Sequence, residues 1–145
     1  MRFWLPALLF TLLLGACGDS SRIPKPELAA LSPKFIMEKG VDRYINYDED
    51  GALYYYNSII ELWGDNPDAQ EYVAWANYEI GFIRYTQSRY DLATQYFHKV
   101  LQINSPTKAP QVLAAKMLKK IEAKLNKNAP PPATNAAPVN IQPVN

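Results

Sequence analysis

The chain has 145 residues, with 15 Lys and Arg against 14 Asp and Glu, a formal net charge of +1, one Cys and one His. That balance gives no bulk attraction to nucleic acid. The Cys and His counts exclude a disulfide framework and a Cys/His zinc site within one chain.

The N-terminus reads MRFWLPALLFTLLLGACGDSS. Arg2 supplies a positive start, and residues 4–14 form an apolar run. A membrane-spanning helix needs about 20 such residues, so the run is too short to span but has the length of a secretory signal core. It ends in LGAC, residues 14–17, which resembles the bacterial lipoprotein signal: a branched aliphatic and two small residues before a Cys. The resemblance implies that residues 1–16 are removed and that Cys17 becomes the first mature residue and carries the lipid. The protein would then be anchored in the cell envelope. Gly18 rather than Asp at the next position implies the outer membrane, with the protein facing the periplasm. Residues 17–31 read as the lipidated Cys and a flexible tether, since Ser20, Ser21, Pro24 and Pro26 interrupt any periodicity.

Helix signals follow. Ser-Pro at 32–33, Asn-Pro at 66–67 and Ser-Pro at 105–106 each place a good N-cap before a proline at the first helical position. The first predicted pair runs from Pro33 to about Tyr47 and from about Asp50 to Trp63. The second runs from about Pro67 to Gln87 and from about Tyr90 to Ile103. Within it, Val73, Ala76, Ile80 and Ile83 form one apolar stripe and Ala93, Phe97, Val100 and Leu101 another. A last helix, about Pro106–Asn126, carries Val112, Ala115, Leu118, Ile121 and Leu125, with Lys116, Lys119, Lys120, Lys124 and Lys127 on its other side. Residues 127–145 hold five of the twelve prolines and no charge beyond Lys127; they read as a disordered tail.

The two pairs are copies. At an offset of 41, Glu38, Gly40, Arg43, Tyr44, Asp50, Ala52 and Tyr55 meet the same residue types at 79, 81, 84, 85, 91, 93 and 96. Tyr56, Ile59, Ile60 and Leu62 meet Phe97, Val100, Leu101 and Ile103. A fixed period of this size points to stacked helical units. The pattern resembles the tetratricopeptide repeat (TPR): a small residue midway in the first helix, another twelve positions on, and an aromatic four residues later. Gly40, Ala52 and Tyr56 fill these places in unit one, and Gly81, Ala93 and Phe97 in unit two. The period exceeds the family's 34 residues, Arg43 and Arg84 stand where Tyr or Leu is usual, and Tyr47 or Ser88 stands where the turn usually has Gly. The longer unit looks like the cell-envelope branch of the family. The resemblance implies an all-α fold over residues 32–126, a short α-solenoid of about two and a half helix pairs closed by a capping helix with a polar outer face.

It also implies a concave surface built from each pair's first helix. By position, unit two contributes Trp75, Tyr78, Phe82 and Tyr85, and unit one Met37, Val41 and Tyr44. The four aromatics share a stripe about 100° from the Val73 stripe. They read either as a groove that docks a partner segment or as core. Charge is also segregated: residues 38–79 hold ten acids and two bases, net −8, and residues 80–127 nine bases and two acids, net +7.

No catalytic residue, metal site or cofactor is expected. His98 has no thiol to activate, no glycine-rich phosphate loop exists, and DEDG at 48–51 lacks the other ligands of a calcium loop. The expected function is therefore a lipid-anchored envelope adaptor or assembly factor that holds another envelope protein. The alternatives are a self-associating structural lipoprotein, using its acidic and basic halves, and a small-ligand carrier or enzyme accessory, using the aromatic stripe.

Overall fold

The computed structural model describes residues 22–128, and over them the chain is all-α with no strand. The helices are α1 (Lys25–Leu28), α2 (Pro33–Ile45), α3 (Glu49–Trp63), a 3₁₀ turn (Pro67–Ala69), α4 (Gln70–Thr86), α5 (Tyr90–Gln102) and α6 (Ala109–Asn128). Helix α2 packs on α3, α4 on α5, α3 on α4 and α5 on α6. The expected signal segment, Cys17 and residues 129–145 of the expected tail lie outside the described residues; residues 127 and 128 belong to α6.

Local chemistry sets the ends. Ser32 Oγ accepts from the Phe35 N–H at 3.3 Å, with Pro33 in the first turn of α2. Asn66 Oδ1 accepts from the Asp68 N–H at 2.9 Å, so this cap starts the 3₁₀ turn, and α4 begins at Gln70. The two intra-pair turns are equivalent. Tyr47 and Ser88, 41 positions apart, take the left-handed conformation (φ 63° and 60°). In each turn that residue's N–H donates to the carbonyl of Tyr44 or Tyr85 (both 3.0 Å). The next N–H donates to the carbonyl of Arg43 or Arg84 (both 2.9 Å). This is the Schellman closure, which satisfies carbonyls a helix end leaves open. In unit one Asp48 completes it, bonding Arg43 at 3.1 Å and capping α3 through the Gly51 N–H at 2.8 Å. In unit two Arg84 turns instead to Gln87 (2.9 Å), and Gln87 donates to Glu49 (2.6 Å).

Packing follows the small residues. A Cβ on Gly40 would stand 2.4 Å from Tyr56 Cε1, and one on Gly81 2.9 Å from Phe97 Cε1. Ala52, Tyr56, Ala93 and Phe97 are fully or almost fully buried. The buried side chains form two clusters. Leu28, Ile36, Tyr55, Tyr56, Ile59, Val73, Ile80 and Ile83 fill the first, among α1 to α4. Phe97, Val100, Met117 and Ile121 form the second, with Tyr78, Phe82 and Tyr85 packed on it. Helix α4 serves both.

Three expectations need correction. The tether expected through residue 31 includes ordered structure from residue 22. Leu28 is fully buried, the Ile23 N–H donates to Tyr55 Oη (3.2 Å), Tyr54 Oη donates to the Ile23 carbonyl (2.8 Å), and Lys25 pairs with Glu61. Ser105 does not cap a helix. It is buried with its Oγ unpartnered, α6 starts at Ala109, and that helix runs to Asn128. Finally, α6 buries Ile121 of the expected stripe and packs Leu118 on the second cluster, but its other buried side chains are Ala114 and Met117, and Val112 (65%) and Leu125 (47%) are exposed, as is Leu101 of α5. The 3–4 spacing fits either face of α6, and the docked face is the one with Ala114 available for close approach to α5.

The left-handed turns make a checkable prediction. A side chain there costs about 1–2 kcal/mol that glycine does not incur, partly offset by glycine's greater freedom when unfolded. Tyr47→Gly and Ser88→Gly should each raise the unfolding free energy by about 0.5–1 kcal/mol in urea titration. A loss of stability at both would contradict the turn geometry.

Candidate partner-binding groove

Helices α2 and α4, the first helices of the two pairs, lie side by side and leave a face open between them. Met37 and Val41 of α2 stand opposite Glu71, Tyr72, Trp75 and Glu79 of α4, around a hollow of about 330 Å³. Further along, Tyr44, Ile45, Tyr47, Glu49 and Thr86 line a second hollow of about 530 Å³. Tyr44 lines the second, and its phenol is raised by burial and then by the charges of Glu49 and Glu79, the latter in the lining of the first. Along this edge Val41, Ile45 and Tyr47 are 43%, 65% and 95% exposed. Three large apolar side chains on one rim are a patch rather than scattered surface residues.

The seven expected groove residues are not all brought together. Met37, Val41 and Trp75 share the first hollow and Tyr44 begins the second. Tyr78 turns inward, its ring against Trp75 (5.8 Å, edge-on), Phe82 (6.4 Å, stacked) and Phe97 (5.7 Å). Phe82 and Tyr85 pack on the second cluster. Tyr85 lies 5.7 Å from the Tyr90 ring, with Lys120 and Lys124 over it at 5.4 and 5.6 Å. The cause is α6, which crosses against α4 and covers the lower part of the stripe. Tyr72, Glu71, Glu79, Ile45 and Tyr47 belong to the groove and were not anticipated. The signal for Glu71 and Glu79 was present: with the expected Trp75 they recur at every fourth position of one helix, hence on one face.

Glu79 sets the electrostatics. Burial pushes its carboxyl above the ordinary glutamate range. The phenols of Tyr44 of α2, Tyr56 of α3 and Tyr78 of α4 are each raised, first by burial; the Glu79 charge adds to all three, after that of Glu49 at Tyr44. Glu71, nearer the rim, accepts from Thr107 Oγ1 at 3.0 Å. Comparison with protein-family models, curated proteins and solved structures found no match. The groove therefore rests on its own geometry. His98 is exposed on α5, and the acids of DEDG open α3, where carboxylates favour the helix dipole. Among the described residues no group of three His, Cys, Asp or Glu gathers at a metal-sized site, and no helix is long and apolar enough to cross a membrane.

The raised Glu79 pKa has a sign. The folded state holds this proton more tightly than the unfolded chain. Stability therefore falls as pH rises from the ordinary value of 4.5 through the folded value. Tyr44, Tyr56 and Tyr78 stay neutral over that range. Glu79→Gln should raise the melting temperature near neutral pH and lose that advantage below the ordinary glutamate value. A variant less stable than the parent at both pH values would refute the desolvated carboxylate.

Proposed function

We propose that this protein is a lipid-anchored TPR-type adaptor of the bacterial cell envelope, holding a segment of a partner protein between α2 and α4. The observation that carries the reading is the open apolar rim of Val41, Ile45 and Tyr47 beside the Trp75 hollow, which no helix among the described residues covers. Burial of such a rim stabilises a complex by roughly 25 cal/mol for each Å² removed from water, before the costs of association. The repeated glycine–ring contacts and repeated turns support the TPR part of the reading. The LGAC sequence ending at Cys17 supports the anchor and the envelope address. Self-association is the second reading, favoured by the exposed lysines of α6 against the acidic first half.

A photo-crosslinking amino acid at Val41, or at the equally exposed Val112 of α6, separates these readings in the source cell. The adaptor reading predicts a discrete heterologous adduct from position 41 and none from 112. Cys17→Ser should release the protein from the membrane fraction while the adduct still forms. Adducts of equal yield from both positions would refute the groove, and a homodimeric adduct would favour self-association.

A further inference from the structure

Among the described residues, the lining of the first hollow holds two carboxylates, Glu71 and Glu79, and no cation. Glu79 sits at mid-height on α4, half-buried beside Trp75 in the lining of the first hollow, and no hydrogen bond or ion pair from the described residues satisfies it. A carboxylate held this way disfavours the empty state unless a counter-charge arrives. Its own half of the chain has none to offer. Residues 38–79 contain two bases: Lys39 lies over the Phe35 ring at 5.3 Å, and Arg43 is bonded to Asp48.

The walls on either side of Glu79 differ. On α4 the order is Glu71, Trp75, Glu79, acid–ring–acid on one face, with Tyr72 alongside. A ring between two carboxylates suits a long basic side chain, whose stem lies on the aromatic surface while its head reaches the acid. On α2 the wall is Met37 and Val41, apolar and partly exposed. That wall suits an aliphatic side chain.

Resting on the groove reading above, we propose that the partner segment carries an arginine or lysine next to an aliphatic residue. The basic head meets Glu79 across Trp75, and the aliphatic side chain seats against Met37 and Val41. Arginine suits the site better than lysine, because its planar group stacks on a ring and bonds a carboxylate through two N–H groups. Binding supplies a counter-charge that the described lining of the hollow does not, so the groove rejects acidic segments as well as favouring basic ones.

The test is selection of peptides from a random linear-peptide display library on the purified protein, with Trp75→Ala as counter-selection to keep only groove binders. Basic–aliphatic pairs should dominate the survivors. The leading peptide, resynthesised with neutral citrulline for arginine, should bind about tenfold to a hundredfold more weakly, the worth of one hydrogen bond to a charged group. Glu79→Gln, folded by circular dichroism, should bind the arginine and citrulline forms alike. Groove binders without basic enrichment, or an arginine preference that survives in Glu79→Gln, would overturn this inference and leave the groove reading standing. Absence of any binder sensitive to Trp75→Ala would overturn both. A salt-sensitive homodimer dispersed by Lys116→Glu and by Glu79→Gln would place α6 of a second copy in the groove and overturn the assignment to a separate partner.

Discussion

The fold depends on how closely one helix of each pair approaches the other. At Gly40 the backbone of α2 lies against the Tyr56 ring, and at Gly81 the backbone of α4 lies against the Phe97 ring, with no room for a methyl group at the first contact. These contacts fix the depth at which α2 sits on α3 and α4 on α5. The Schellman turns at Tyr47 and Ser88 then fix the direction in which each second helix leaves. Because both contact and turn recur 41 residues later, α2 and α4 come out side by side, and the face between them is a consequence of the repeat.

Helix α4 carries the most demands. Val73, Ala76, Ile80 and Ile83 fill the cluster with α3, while Tyr78, Phe82 and Tyr85 pack on α5 and α6. The strip of Glu71, Tyr72, Trp75 and Glu79, with Thr86 further along, is left to face the open side. A carboxylate at the middle of such a helix works against stability near neutral pH, and the proposed partner gives it a use. Stability and recognition meet at one side chain, a common arrangement at binding sites.

Much of the fold was legible because it is written in local spacing. The seven identities at a fixed offset, the Ser32 and Asn66 caps and the small residues at 40, 52, 81 and 93 locate four helices to within a few residues. What was illegible depends on contacts distant in sequence. Helix α1 has no periodic signal of its own; it is held by Tyr54, Tyr55 and Glu61, more than thirty positions away. The buried face of α6 was legible only at Leu118 and Ile121, because Val112 and Ala114 both begin 3–4 stripes that reach Ile121 and only docking on α5 chooses between them. The site was half legible. Met37, Val41, Tyr44 and Trp75 follow by position from the TPR resemblance, but where the α4 stripe of rings passes from groove to core is decided by α6, and nothing local to α4 reports it. Ile45 and Tyr47 were missed because they are exposed at a turn, where apolar residues form no stripe.

The measurement that bears most directly on this account is a double-mutant cycle across Gly40 and Tyr56. Gly40→Ala should lower the unfolding free energy by about 1–3 kcal/mol in the parent, the usual cost of overpacking. In a Tyr56→Leu background, where the ring no longer reaches the backbone, the same substitution should be neutral or stabilising, since alanine is the better helix former by roughly 0.5–1 kcal/mol. An equal loss in both backgrounds would mean that the α2 backbone does not rest on the Tyr56 ring, and the pairing that places α2 beside α4 would have to be abandoned.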